Sequence, residues 1–234
     1  TVTIKPVVSV SASATPATVC GSGNAQLTAN VNSGTGYIVS SIPYTALSGT
    51  ATILWNTYTD DAMSAAIPIP FAFNFYGVAV TQLYVTSNGY IQIQTSTANS
   101  TLPQTLPDAA TPNNIIALAW DDLIVDPSTN TGSAVQYFVS GSAPNRIMAV
   151  QYINLRFIGG TAAENVTGQI RLFESDSHIE VHVTTVNDNG NNYSKTLGIE
   201  NALGSSGSAP LGRNNTACTG TTSEAWSFAQ SSGT

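Results

Sequence analysis

Apolar and polar residues alternate over short stretches along almost the whole chain, and β-branched residues are frequent in these stretches. This alternation is typical of strands with one buried face, and no window shows the periodicity of an amphipathic helix. Turn-forming sequences separate the stretches, and Ser87-Asn88-Gly89 predicts a tight hairpin because Asn-Gly tolerates a positive φ. The predicted strands are Val2–Val10, Ala25–Val31, Tyr37–Ile42, Ile67–Phe75, Gln82–Thr86, Tyr90–Gln94, Ile115–Trp120, Ala134–Val139, Arg146–Phe157, Val166–Phe173, His178–Thr184, Lys195–Glu200 and Ala225–Phe228.

Strands at this spacing predict an all-β fold, with a β-sandwich or jelly-roll-like main domain. Phe71, Phe73 and Phe75 alternate with small or polar residues, so the three aromatic rings face the same side of a strand. Such a stripe could line a sugar-binding face. Among so many aliphatic strands it is more typical of core, and we predict core.

The segment 1–33 differs from the remainder, because two strand-like stretches flank a run rich in Ser, Ala, Thr and Pro. Two strands are too few for an immunoglobulin-like module. We therefore predict a sandwich domain at 34–234, preceded at 1–33 by an immunoglobulin-like strand segment or inter-module connector. Two placements stay open for this segment: on its own sandwich, or on a neighbouring copy.

The composition is poor in charge, with 8% charged residues, 42% hydrophobic residues and a formal net charge of −7. The polar surface must then consist mainly of hydroxyl and amide groups, which is typical of exported fibre and adhesin domains. The six Lys and Arg are scattered, so we expect no nucleic-acid partner and no attraction to anionic lipid. No apolar stretch approaches the ~20 residues of a spanning helix, so we expect no membrane insertion. We also recognise no signal peptide and interpret the chain as a mature or excised piece of a longer precursor.

Two cysteines, Cys20 and Cys218, lie near opposite ends of the chain in turn-like, Gly- and Thr-containing sequences. A free thiol would be exposed and reactive in such turns. We predict one disulfide that ties the terminal segments together, which implies an oxidising compartment. Two buried thiols are the alternative.

Several motifs follow one another in a characteristic order along the chain. They are Gly36–Tyr44, Ile67–Gly77, Leu83–Ile91, Asn113–Leu123, Arg171–Glu174, Ile179–His182 and Leu197–Asn201. With these motifs the chain resembles the β-sandwich repeats of large cell-surface proteins that Bacteroidetes-type bacteria export by the type IX pathway, and more distantly the nidogen-type domain. This resemblance implies a secreted bacterial surface module that alternates with immunoglobulin-like or PKD-like units, and it supplies no ligand.

Carboxylates cluster after Trp120, where Asp121, Asp122 and Asp126 form an oxygen-rich loop of the kind that can hold calcium. The spacing matches no EF-hand. Aspartates in such loops more often cap their own backbone. We predict no cofactor unless calcium binds in this loop.

His178, Glu180 and His182 share one strand face, but parallel side chains about 7 Å apart do not converge well on one zinc ion. We expect them to form the solvated face of the strand, with Ile179 and Val181 buried. No catalytic motif is recognised, no pair of carboxylates is set by motif for glycosidase chemistry, and we predict no enzyme activity and no catalytic residues.

We therefore predict an extracellular structural or adhesive surface module, one repeat or protomer of a larger array or filament joined through its terminal strands. Its partners would be copies of itself or neighbouring modules. The alternative is a carbohydrate-binding module that binds surface glycans through aromatic residues near turns. The candidate residues for that alternative are Trp55, Tyr58, Tyr76 and Tyr193.

Overall fold

The computed structural model describes residues 8–15, 26–33, 36–97, 99–217 and 221–231. Every regular element in these ranges is a β-strand. Strands β1 (Val8–Thr15) and β2 (Gln26–Ser33) pair antiparallel with each other in a sheet of their own. The described residues contain no helix with the length and apolar character needed to cross a bilayer. Cys20 and Cys218 lie outside the described residues, so their disulfide stays a prediction.

The larger sheet has eight antiparallel strands, with β3 and β4 at its two edges. A short additional strand, β9 (Leu123–Ile124), pairs with β11 beside the main path. In spatial order the main path is β3 (Tyr37–Ile42), β17 (Thr221–Gln230), β13 (Ile179–Asn187), β12 (Asn165–Phe173), β11 (Ile147–Phe157), β10 (Ala134–Ser140) and β4 (Thr52–Trp55).

The second sheet has seven antiparallel strands. The two-residue strand β16 (Thr216–Ala217) pairs with β14 beside the main path. In spatial order the main path is β15 (Gly207–Ser208), β14 (Ser194–Glu200), β8 (Ile115–Trp120), β7 (Tyr90–Ile93), β6 (Val78–Val85) and β5 (Ile67–Phe75).

The two sheets pack face to face around one large apolar core, which confirms the predicted all-β sandwich. Phe71, Phe73 and Phe75 are buried in it, and β5 alternates strictly between buried and exposed positions. The predicted hairpin joins β6 to β7, and the positive φ falls on Gly89, at 78°. A Cβ at that glycine would lie 2.7 Å from the carbonyl oxygen of Ala119, so the turn requires glycine for two reasons.

Four short strands escaped prediction: β4, β9, β15 and β16. Three of them have only two residues, too few for any alternation to be visible. β4 has Thr52 and Ile53 exposed in succession, so its pattern does not alternate either. These strands form because a neighbouring strand offers free backbone groups, which a local pattern does not reveal.

The sandwich has two poles, which we call the entry pole and the far pole. At the entry pole Tyr37 of β3 pairs with Gln230 of β17, and the Ser231 amide donates to the Gly36 carbonyl at 2.9 Å. The chain therefore enters and leaves the sandwich side by side. The far pole holds the turns between β6 and β7, between β8 and β9, and between β13 and β14.

Residues 43–51, which we call the strap, connect the two opposite edges of the eight-stranded sheet. Six strand spacings separate β3 from β4 in that order, a span of about 29 Å at ~4.8 Å each. Ten residue steps reach at most about 35 Å. The strap must therefore run nearly fully extended across the outer face of the sheet.

The strap corrects the expectation that His178, Glu180 and His182 form a solvated face. His182 is only 1% exposed, and its Nδ1 accepts the Thr45 amide at 3.3 Å. On the neighbouring strand Arg171 Nη2 donates to the Thr45 carbonyl at 2.6 Å, and Gln169 Nε2 donates to the Leu47 carbonyl at 2.7 Å. Ile179 and Val181 are buried in the core, as expected. The outer face is polar because its side chains bind the strap backbone, which would otherwise lose its hydrogen bonds to water.

Candidate functional site

The far pole brings together a different set of carboxylates from the predicted one. The carboxylate oxygens of Asp60, Asp61 and Asp122 lie within 4.8 Å of one another. Burial raises the pKa of Asp122, and the neighbouring charges of Asp61 and Asp60 raise it further. Burial also raises the pKa of Asp60, followed by the charge of Asp61. The positive charge of Arg156 offsets only part of the rise in the pKa of Asp60. The oxygen-only chemistry of the group is the type that calcium prefers.

A buried asparagine side chain, that of Asn88, holds this carboxylate group in place. Asn88, in the turn between β6 and β7, is fully buried. Its Nδ2 donates to Asp61 Oδ1 at 3.0 Å, and its Oδ1 accepts the Leu123 amide at 3.0 Å. One side chain thus links the loop that carries Asp60 and Asp61 to the turn that carries Asp122. The predicted hairpin turn is therefore also the scaffold of the carboxylate group.

Asp121 and Asp126, the other two predicted calcium ligands, occupy different surroundings. Burial raises the pKa of Asp121 to about 6. Its Oδ1 accepts the Asp122 amide at 2.8 Å, whereas its Oδ2 is buried without a hydrogen bond from any residue in the described ranges. Asp126 forms an ion pair with Arg156 at 2.6 Å and accepts the Ser128 and Thr129 amides.

Hydrogen bonds from Ser128 and Arg156 hold the pKa of Asp126 below its ordinary range. Asp126 thus caps its own turn and already has a positive partner, which makes it a poor calcium ligand. Asp122 alone is shared by the predicted set and the observed group.

The four aromatic residues of the carbohydrate hypothesis do not form one face. Trp55 and Tyr193 are partly buried against the core, and the Tyr193 ring lies 5.2 Å from that of Phe157. Tyr58 is 62% exposed and precedes the Asp60–Asp61 pair. Tyr76 is buried at the entry pole, where its ring centroid lies 4.8 Å from that of Tyr37.

A cavity of about 300 Å³ lies at the entry pole, beside the end of the seven-stranded sheet, and sequence reasoning missed it. Its wall combines the β5–β6 turn, the ends of β7 and β8, and the segment that follows β14. These four segments are far apart in sequence, so no local motif signals the cavity. Tyr76 was singled out only as an aromatic residue near a turn, and it is the one residue of the carbohydrate set that lines this cavity.

Two packed antiparallel sheets, loops concentrated at the poles and a charge-poor surface together define a β-sandwich of the extracellular type. A family model described as NIDO related matches residues 36–233, and the chain therefore belongs to this nidogen-related family. The match confirms the nidogen-like part of the resemblance and makes the chain an extracellular module. No curated protein and no solved structure matches the chain.

Proposed function

We propose that the chain is a structural or adhesive module of a surface protein, one repeat or protomer of a larger array joined through its terminal strands. The adjacent positions of Gly36 and Ser231 carry this proposal. Units joined through both ends of such a sandwich meet at the entry pole. The far pole, with its carboxylate group and exposed Tyr58, then projects away from the junction and is free for contact.

The edges of the sheets support the same arrangement. On β5, Pro68 and Pro70 lack amide hydrogens, which disfavours pairing with another strand along that edge. The β3 edge starts at the entry pole and has no proline, and Ile38 on it is exposed. An added strand would therefore pair best along β3, close to the point where a neighbouring unit is attached.

The proposal assigns no catalytic step. It includes the more specific hypothesis that the chain is a repeat of a large Bacteroidetes-type surface protein. The nidogen-related family and the low charge support an extracellular role. A hydroxyl- and amide-rich surface suits close contact between like units, because little charge repulsion opposes it.

Electron microscopy and light scattering test the assembly. We expect the chain to form multimers or fibres, and deletion of residues 1–33 to abolish them. Unchanged assembly of the deletion variant would rule out joining through the N-terminal strands.

Glycan binding is the second candidate function, because Tyr58 is exposed beside the carboxylate group at the far pole. A glycan array in the presence and absence of calcium separates the two roles. Saturable binding that is lost in Tyr58→Ala would favour the carbohydrate-binding module, whereas a purely structural module binds no glycan saturably.

A further inference from the structure

The connection between β13 and β14, at the far pole, buries a lysine against an aspartate. Lys195 is only 4% exposed, and Asp188 is fully buried. Lys195 Nζ lies 2.8 Å from Asp188 Oδ2. Taking two opposite charges out of water is unfavourable, and their mutual attraction offsets the loss of hydration only in part. A reaction between the two side chains that removes both charges would relieve this penalty.

Backbone groups hold both reacting side chains in position. Asp188 Oδ1 accepts the Gly190 amide at 3.1 Å, and Asp188 Oδ2 accepts the Tyr193 amide at 3.1 Å. Lys195 Nζ also donates to the Tyr193 carbonyl. The carboxyl carbon of Asp188, Cγ, is therefore fixed, and Nζ stands next to an oxygen bound to that carbon. Groups held in this way can react with effective concentrations of about 10⁵–10⁸ M.

Apolar side chains keep bulk water away from the pair. Lys195 Nζ lies 5.2 Å from the centroid of the Phe157 ring. Val186 and Leu197, both buried, line a narrow gap beside Lys195. The gap has a volume of about 20 Å³, which is room for about one water molecule. Exclusion of bulk water disfavours the two charges, and it also protects an amide bond formed here from hydrolysis.

A third carboxyl group, that of Asp121, borders the pair. Thr196 pairs with Trp120 in the antiparallel ladder of β14 and β8. Lys195 and Asp121 are the next residues in that register. The charges of Lys195 and Asp188 both act on Asp121. A carboxyl group at this place can take a proton from Nζ and pass it to an oxygen of Asp188.

We propose that Lys195 and Asp188 condense to an isopeptide bond, a covalent amide link between their side chains. One proton passes from the ammonium group to the carboxylate, which leaves an amine and a carboxylic acid. Nζ then attacks Cγ, so that the Nζ–Cγ bond forms and one bond from Cγ to oxygen breaks. The oxygen leaves as water with two protons that both come from Nζ. The step needs no oxidant and no other reactant.

The amide product suits the hydrogen-bonding groups around it. Its single N–H can keep the Tyr193 carbonyl as acceptor, and its remaining oxygen keeps a backbone donor from Gly190 or Tyr193. The new bond closes a covalent ring around the whole connection from Asp188 to Lys195. It thereby fixes one of the turns of the far pole, and it does not depend on how units join.

Mass spectrometry of the full chain tests the bond. The folded chain is kept at neutral pH for several days and is then reduced and unfolded. We expect a mass about 18 Da below that of the sequence, which corresponds to the loss of one water molecule. Lys195→Arg keeps the positive charge, but its guanidinium stays protonated and does not attack a carboxyl group. This variant should therefore have the full mass of its sequence.

Digestion with trypsin locates the bond. An unmodified chain is cleaved after Arg171, Lys195 and Arg213, which yields residues 172–195 and 196–213 as separate peptides. Trypsin does not cleave after an acylated lysine, so the bonded chain should yield one peptide, 172–213, about 18 Da lighter than its sequence.

Two aspartates of this peptide provide a matched pair of variants. Asp188→Ala should have its full mass and be cleaved after Lys195, even if the variant folds poorly. Asp176 is exposed and is not bonded to the lysine, so Asp176→Ala should retain the loss of water.

A wild type of full mass that is cleaved after Lys195 would overturn the proposal and leave an ion pair. A loss of water that persists in Lys195→Arg would also overturn it, because the water would then come from another group. The proposed function fails separately. If the bond is present and the chain stays monomeric, only the joining of units is wrong. If residues 1–33 drive multimers of a chain with full mass, only the bond is wrong.

Discussion

Glu200 at the end of β14 is fully buried, and its Oε2 accepts the Asp108 amide at 2.6 Å. Burial raises the pKa of this carboxyl from 4.5 to about 7, and the nearby charge of Asp108 adds to the increase. The folded state therefore binds the proton more tightly than the unfolded chain does. The stability that this carboxyl contributes is fully present below pH 4.5 and is lost as the pH rises to about 7.

Glu200→Gln should remove this loss. Between pH 4.5 and 7, the free energy of unfolding of the wild type should fall relative to that of the variant, as measured by urea denaturation at several pH values. Glu174→Gln is a control of opposite sign, because Arg146 holds the pKa of Glu174 at about 2. Above pH 2 the free energy of unfolding of Glu174→Gln should fall below that of the wild type, and this difference should grow up to about pH 4.5. If the free energy of unfolding varied with pH in the same way for the wild type and Glu200→Gln, the expectation would be contradicted.

The carboxylate group at the far pole predicts calcium binding through Asp60, Asp61 and Asp122. A divalent cation relieves the repulsion that raises the pKa values of Asp60 and Asp122. We expect millimolar calcium to raise the melting temperature of the wild type by a few degrees, through preferential binding to the folded state.

Asp122→Asn should abolish the calcium effect, and Asp121→Asn should preserve it, because Asp121 does not belong to the carboxylate group. Calorimetry with calcium or magnesium distinguishes a calcium site from general screening. Loss of the effect in Asp121→Asn alone would instead favour the ligand set predicted from sequence.

At the scale of elements, the strap depends on close approach to the sheet. A Cβ at Gly49 would lie 2.5 Å from Cδ2 of Phe138, whose ring is buried on β10. The nearly extended strap has little slack to move away from that ring. Gly49→Ala should therefore lower the free energy of unfolding by about 1–3 kcal/mol, as overpacking typically does. Ser48→Ala, one residue earlier and exposed, should change it by less than about 0.5 kcal/mol.

The position and buried face of a strand were predictable where the element carries its own pattern, and the course of the strap was not. The alternation in β5 predicts its buried face correctly because the period of a strand is set by the backbone alone. Residues 43–51 show no such period. They bind Gln169, Arg171 and His182, more than 120 residues away in sequence. For the same reason the burial of His182 was not foreseen.

At the scale of the whole molecule, the predicted Cys20–Cys218 disulfide would enclose nearly the entire sandwich in one covalent loop. The loop-entropy model gives a stabilisation of about 5 kcal/mol for a loop of this length. A reducing agent should therefore lower the melting temperature of the wild type and leave the double variant Cys20→Ser/Cys218→Ser unchanged. Alkylation of both cysteines in the unreduced, unfolded chain would show that the disulfide is absent.

From the sequence alone the class of this molecule could be predicted: an all-β, charge-poor, extracellular module with turns at the expected places. Alternation, turn residues and composition act over a few residues, so they can be read without coordinates. Which distant groups meet depends on the tertiary structure alone. It placed Asp122 with Asp60 and Asp61 instead of Asp126, covered His182 with the strap, and formed the entry-pole cavity from four separate segments. These contacts arise from the way two sheets pack and loops cross them, which no local pattern contains.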